Sequence, residues 1–424
     1  MEDENFKNLP HKVYWKAVNE IAKENNLNDV TKYKIECSAG SGKGDNYFGT
    51  MFQIQIISKE DNSIKLSLIA KLPPQNDAKR EQFQASFAFK REILAYDVIF
   101  PLYKQFQEER AIDIEKDGFH EVSRCHKTLS DEPYEGIFFD DLKMKNFNMY
   151  DRFKDVTKEH VFLVMKAIAK MHATFFCLKD QKPKLVEEYC HMEDFIIFHL
   201  RNKKPLFSSF YECQKKEAFK VLETCENHDM KIKIGDYLNR NLLELFESTV
   251  GNKTGEPYAT ICHGDCWNNN MMFLNDDNGI PKDIRLIDFQ ILRYAPPVTD
   301  IIYYLFTSVT KELRKKYYQE FLDVYYTTLS NFIERLGSDP KKLFPREMFD
   351  EQLKKFGRYG LFMAVITLPA VTIDQDEALD IDAISEQLND TSNNDKSAME
   401  LKGSAKYKER IKGIFEDMYE LGYI

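Results

Sequence analysis

The feature that most constrains the fold is a change of pattern partway along the chain. In the first part, Lys34–Cys37, Met51–Ser58 and Ile64–Leu72 have strand composition, and apolar and polar residues alternate at period two from Phe52 to Ile56. Pro73 and Pro74 stop the third run, because proline brings no N–H to a ladder. Residues 120–125 and 136–139 read as two further strands. Residues 9–35 read as a helix with Trp15, Val18, Ile21 and Ala22 on one face. Residues 77–107 read as one long amphipathic helix, carrying Phe83, Phe87, Ile93, Tyr96 and Val98, with Pro101 as its point of interruption. From Lys158 onward the period is helical: 158–178, 184–200, 207–227, 230–248, 299–309, 311–336, 347–370 and 404–420. Within that part, 258–291 returns to strand composition. The expected class is α+β: a small antiparallel β lobe with one long helix over residues 1–141, then a larger, mainly helical lobe over 142–424.

Composition excludes several classes. A chain of 424 residues, 43% hydrophobic and 30% charged, suits two or three ordinary domains or one bilobal globular enzyme. The net charge of −10 speaks against a general nucleic-acid or anionic-membrane binder. Met1–Asn5 is acidic and has no apolar leader, and no run of about 18 apolar residues appears, so neither a signal peptide nor a membrane span is expected. The eight cysteines are scattered, which suits a reducing cytoplasm better than a disulfide framework. Cys262, His263 and Cys266 are not followed by a second Cys/His pair, so a zinc site is not expected. Residues 374–395 hold eight acidic residues and no basic one. They read as a solvated loop or, more sharply, as a lid over a cationic substrate.

The chemistry concentrates around His263-Gly264-Asp265-Cys266-Trp267-Asn268-Asn269-Asn270 and the later Leu286-Ile287-Asp288-Phe289-Gln290. Phosphoryl transfer needs a carboxylate to orient the attacking hydroxyl and oxygen ligands for Mg²⁺. Asp265 fits the first role. Asn270 and Asp288 fit the second, and His263 is expected to brace the loop. Asp300 opens a predicted helix, either as its N-cap or as a brace behind that loop.

Four other segments supply the parts a nucleotide would need. Gly40, Ser41, Gly42, Gly44, Asp45 and Asn46 form a Gly-rich turn between two predicted strands, where backbone N–H groups can approach phosphate oxygens. A P-loop is excluded: Cys37 stands where its first Gly belongs, Gly44 replaces the Ser/Thr after Lys43, and a strand follows. Lys71, near the end of an apolar strand, is expected to clamp phosphates. Glu92, on the following helix, is expected to pair with it. The strand Ile137–Phe139 runs into Asp140, Asp141 and Leu142, and a hinge there would offer backbone groups to adenine.

These motifs, with Gly44-Asp45-Asn46-Tyr47 and Ala70-Lys71-Leu72-Pro73-Pro74, resemble the ecdysteroid kinase-like (CHK kinase-like) family. That family lies within the aminoglycoside phosphotransferase and choline kinase group of protein-kinase-like folds. The resemblance spans roughly residues 30–420 and includes Ile168-Ala169-Lys170-Met171-His172-Ala173. It implies a bilobal kinase-like fold, ATP and Mg²⁺ as cofactors, and transfer of the γ-phosphate to a hydroxyl. The acceptor would be an ecdysteroid or a related hydroxylated lipophilic compound, steroid-like or xenobiotic, which would make detoxification one role. It carries catalytic or phosphate-binding roles to Lys71, Glu92 and Asp265 and metal-binding roles to Asn270 and Asp288. Gln290 stands where protein kinases have Gly, and Gln is usual in this family. Two alternatives stay open: a choline- or aminoglycoside-type kinase acting on a cationic substrate, and a nucleotide-binding pseudokinase scaffold. The second should have lost one of Lys71, Asp265, Asn270 or Asp288, and all four are present. A protein kinase is disfavoured, because no Ala-Pro-Glu segment follows Asp288.

Overall fold

The structure, a computed structural model, describes residues 9–40, 49–151, 154–372 and 403–424. It comprises two compact units: residues 1–99 with 122–148, and residues 100–121 with 149–424. The expected acidic segment 374–395 lies outside the described residues.

In the first unit, strands β1 (Tyr33–Ala39), β2 (Thr50–Ser58), β3 (Ile64–Leu72), β4 (Cys125–Leu129) and β5 (Gly136–Asp140) form one five-stranded antiparallel sheet in the order β1-β2-β3-β5-β4. Helix α1 (Lys12–Glu24) lays Tyr14, Trp15, Val18 and Ile21 on Ile54, Ile56, Leu68, Ala70, Leu72 and Phe138. Alternation then decides what the other sheet face carries: with Leu68, Ala70 and Leu72 in that core, Lys71 points the opposite way. Its register neighbours are Met51 on β2 and Ile137 on β5.

The expected helix over 9–35 stops at Glu24. Asn26 adopts a left-handed φ of 64°, and a 3₁₀ turn (Val30–Lys32) leads directly into β1. The strand expected at 120–125 begins at Cys125 instead. The long helix expected over 77–107 is broken, but not by Pro101. The break is at Gln84, with φ 48°, between α2 (Asp77–Gln82) and α3 (Ala85–Leu94). A π-helical turn, Ala95–Ile99, follows α3 and runs into α4 (Phe100–Glu108), which contains Pro101. Proline cannot donate to a carbonyl in the preceding turn, and it stands just after the π-helical turn, where the α-helical hydrogen-bond ladder is already interrupted.

The second unit is mainly helical. After α4 and the short α5 (Ile114–Asp117) come α6 (Lys158–Gln181), α7 (Pro183–Val186), α8 (Phe195–Arg201), α9 (Pro205–Glu223), α10 (His228–Leu238) and α11 (Leu242–Val250). The expected helix 184–200 is therefore split, and Asp194 caps α8 by accepting from the amides of Ile196 and Ile197 at 2.9 Å each. The helix expected over 230–248 is divided in the same way by Asn241, whose side chain caps α11. α6 is long and apolar enough to cross a membrane by length and composition, but 78% of its apolar window is buried inside the protein, where it packs along α13 (Lys311–Arg335). Chain order continues with α12 (Val298–Ser308) before α13, then α14 (Pro340–Leu343), α15 (Arg346–Phe356), α16 (Tyr359–Thr372) and α17 (Ala405–Glu420). The break between α15 and α16 falls at Gly357, inside the helix expected over 347–370.

Between α11 and α12 lies the strand segment. After the two-residue strand β6 (Asn148–Met149), the chain forms β7 (Thr260–Cys262), β8 (Met271–Asn275), β9 (Pro281–Leu286) and β10 (Arg293–Ala295). β7 pairs with β10 and β8 with β9, all antiparallel. The loops leaving β7 and β9 are thereby fixed at both ends.

Candidate active site

In the first unit, the side chain of Lys71 meets that of Glu92, from α3, with Nζ 2.6 Å from Oε2. Both side chains are almost wholly buried, at 4% and 2% exposure. Two charges are kept this far from water only when paired, so the contact fixes both side chains. Gly40 ends β1 against β2: its N–H donates to the Met51 carbonyl at 2.8 Å, and an added Cβ would sit 3.1 Å from the backbone carbons of Met51 and Phe52. Ser41, Gly42, Gly44, Asp45 and Asn46 lie outside the described residues.

At the end of β5, the Asp140 carboxylate is committed locally, 2.6 Å from His126 Nε2 and 2.6 Å from Lys145 Nζ. Burial pushes its pKa up, but those two hydrogen bonds outweigh burial and hold it at about 2. Leu142 is buried and opens a 3₁₀ turn (Leu142–Lys145) capped by Asp141. Asp141 also accepts from Gln53 at 2.7 Å and Ser67 at 2.8 Å, a structural role the sequence did not single out.

In the second unit, one loop collects the remaining candidates. β7 delivers His263, Gly264 and Asp265; a 3₁₀ turn, Asn268–Asn270, leads into β8; and Asp288 follows β9. Gly264 has φ 85°, and a Cβ there would fall 2.1 Å from the Ile291 carbonyl oxygen, so the turn admits only glycine. Asp300 is the third residue of α12 rather than its N-cap, the cap position being held by Pro297. Its Oδ2 accepts from the His263 amide at 2.7 Å and its Oδ1 from the Gly264 amide at 3.0 Å. His172, on α6, approaches the same carboxylate at 3.1 Å and Tyr325 at 2.8 Å. Burial would raise the Asp300 pKa, but His172, His263 and the Gly264 amide together hold it below the usual carboxylate value. The carboxylate thus stays ionised behind the loop.

His263 braces the loop from within. Its Nε2 faces the Ile287 carbonyl at 3.1 Å, and its Nδ1 accepts from the Asp265 amide at 3.3 Å. Ile287 in turn donates to the Asn270 carbonyl at 3.0 Å, which ties the Asp288 segment to the Asp265 loop.

Both Asp265 oxygens are held. Oδ2 accepts from Asn270 Nδ2 at 2.7 Å, and Oδ1 accepts from the Tyr303 hydroxyl at 2.8 Å. Burial and the neighbouring charge of Asp288 raise its pKa, with partial opposition from Tyr303, His263 and Asn270. A carboxylate raised toward neutrality is a better proton acceptor. With Nδ2 of Asn270 turned to Asp265, its carbonyl oxygen is the end left to face a cation. Asp288 has φ 66°, a left-handed conformation in which few non-glycine residues persist without compensating contacts. Together they offer the oxygen donors that Mg²⁺ prefers.

Sequence reasoning missed Tyr303 and His172 as parts of this arrangement. Tyr303 lies three residues beyond Asp300 on α12, a spacing that puts both on one helix face and was available as a signal. Among the described residues, His172, Cys262 and Asp300 also lie within metal-ligand reach of one another. Burial pushes the Cys262 thiol up, while His172 and Asp300 hydrogen-bond to each other and Asp300 holds the His263 amide, so these side chains brace the loop from behind.

Comparison with solved structures finds similarity at low identity. An aminoglycoside 2'-phosphotransferase-IIIa mutant in its GDP complex is 11% identical, with 97% of this chain and 100% of that chain covered and a TM-score of 0.40. The GDP and kanamycin complex of a related aminoglycoside phosphotransferase is 11% identical over 89% and 99%, with a TM-score of 0.34. The AMP-bound complex of spectinomycin phosphotransferase is 12% identical over 84% and 91%, with a TM-score of 0.33. No curated protein matches. The profile of the ecdysteroid kinase-like family matches residues 43–338, which include Lys71, Glu92, Asp265, Asn270 and Asp288, and the chain belongs to that family.

Proposed function

We propose that this protein is a small-molecule kinase that transfers the γ-phosphate of ATP to a hydroxyl, the acceptor being an ecdysteroid or a related hydroxylated lipophilic compound. Family membership supports the phosphotransferase reading. The observation that carries the site assignment is the Asp265 carboxylate, held on one oxygen by Asn270 and on the other by Tyr303.

In this reading Lys71, oriented by Glu92, binds phosphate oxygens of the nucleotide. Asp265 accepts a hydrogen bond from the acceptor hydroxyl, orients its oxygen toward the γ-phosphorus and takes its proton as the new P–O bond forms, while the bond from that phosphorus to the bridging oxygen breaks and ADP leaves with the electron pair. Asn270 and Asp288 would hold Mg²⁺, which when bound neutralises phosphate charge. Asp300 and His263 keep the loop in one geometry while this happens. Catalysis of this kind is mostly positioning and charge neutralisation, as a loose phosphoryl-transfer transition state requires. The eight cysteines are all free thiols, which supports a reducing, cytoplasmic setting.

The test is an ATP-consumption screen with ecdysteroids, other sterols, choline, aminoglycosides and hydroxylated plant compounds. Turnover with an ecdysteroid or another lipophilic alcohol is the expected result. Turnover confined to cationic acceptors would overturn the substrate class, and nucleotide binding with no acceptor phosphorylated would favour the scaffold.

A further inference from the structure

The Tyr303 hydroxyl sits between two polar partners at the back of the Asp265 loop. It lies 2.8 Å from Asp265 Oδ1 and 3.2 Å from the Thr367 hydroxyl on α16. Tyr303 is 3% exposed and Thr367 5%, so neither hydroxyl has ready recourse to water. Tyr303 carries one proton. A carboxylate is the stronger acceptor, so that proton goes to Asp265 and the Thr367 hydroxyl donates to Tyr303. The order Thr367 to Tyr303 to Asp265 is therefore one-way. The Tyr303 ring is itself set edge-on to Tyr359, at 6.5 Å between centroids, and the Tyr359 hydroxyl accepts from the buried Arg293 at 3.1 Å. Arg293 is held by Asp194, with Nε 3.2 Å from Oδ2.

We propose that Tyr303 is the positioning residue of the Asp265 carboxylate, and that Thr367 on α16 fixes Tyr303. Asn270 holds Oδ2 from the loop's own side, but a single hydrogen bond leaves a carboxylate free to rotate about its Cβ–Cγ bond. Tyr303 supplies the second point from a different element, and two points define the carboxylate plane. One lone pair on each oxygen is left for the acceptor hydroxyl. The catalytic consequence rests on the kinase reading above, whereas the positioning itself does not.

The test uses the full chain with Tyr303→Phe and Thr367→Val, each checked for an unchanged circular dichroism spectrum. With [¹³C]aspartate labelling, the Asp265 carboxyl resonance is identified by its loss in Asp265→Asn. It should move in Tyr303→Phe and move less in Thr367→Val. An unmoved resonance in Tyr303→Phe overturns the proposal. With ATP and whichever alcohol the screen identifies, Tyr303→Phe should lower kcat about 10- to 100-fold, with the KM for ATP held within about twofold. Unchanged kcat, or loss expressed only in KM, overturns the catalytic part. If the wild-type protein phosphorylates none of the acceptors, the kinase reading fails separately, and the Tyr303 assignment is decided by the carboxyl resonance.

Discussion

Each residue of the Asp265 loop has a separable job. Asp265→Asn keeps the shape and, in the proposed mechanism, removes the proton acceptor, so it should cost about 10²- to 10⁴-fold in kcat while nucleotide affinity, read by calorimetry, is retained. Asp300→Asn removes a buried charge that serves two backbone amides and His172, and should cost about 1–3 kcal/mol in denaturant unfolding. The sign with pH follows from its lowered pKa. A carboxylate ionised more readily in the folded state than in the unfolded chain stabilises fully above the unfolded value, near 4, and that contribution fades as pH falls through the folded value. The Asp300→Asn protein should therefore lose less stability than the wild type between neutral pH and about pH 3; an identical acid dependence would refute the bracing role. Asp265, Asn270 and Asp288 could be singled out in the sequence because Asp265 and Asn270 share the short connection between β7 and β8 and Asp288 follows β9. Tyr303 was not singled out: its spacing from Asp300 on one helix was a signal, but its partner Asp265 is 38 positions away and only folding brings the two together.

Elements explain what could and could not be read locally. The strands were visible because the two sheet faces differ: β3 alternates a face covered by α1 with the face that bears Lys71. The helix breaks at Gln84, at Asp194 and at Asn241 were missed because apolar periodicity runs on across a cap. Replacing Glu92 with Ala leaves the Lys71 ammonium buried without this carboxylate, and should cost about 3–5 kcal/mol in unfolding. The double replacement Lys71→Met/Glu92→Leu should recover much of that loss, since apolar groups of similar volume can replace a buried pair at little net cost. Additive losses would contradict the pairing. Helices α12 and α16 meet at Gly360, where a Cβ would fall 2.5 Å from Ile302 Cγ2 and 2.9 Å from the Phe306 ring. Gly360→Ala should destabilise by about 1–3 kcal/mol through overpacking. The same change displaces α16, which carries Thr367, so it should also lower turnover if Thr367 acts as proposed.

At the scale of the whole molecule, any ligand that binds only the folded chain stabilises it. Mg²⁺-ATP at about 100 times its Kd should stabilise the protein by about 2.7 kcal/mol, read as a rise in melting temperature. Asp288→Ala should remove the Mg²⁺ dependence of that rise, read against the melting temperature of the same variant without ligand. Overall class was readable because alternating strands in the first part and 3.6-residue periodicity in the second are whole-segment properties. The placement of residues 100–121 with the later unit was not, because no local signal marks which unit a helix packs into. The central claim is transfer to an alcohol that depends on Asp265. It is tested most directly by incubating [γ-³³P]ATP and Mg²⁺ with 20-hydroxyecdysone and following label into the steroid, using wild-type protein and Asp265→Asn side by side. The account predicts a phosphorylated steroid from the wild type and almost none from Asp265→Asn; equal labelling by the two proteins, or label released only as inorganic phosphate, would contradict it.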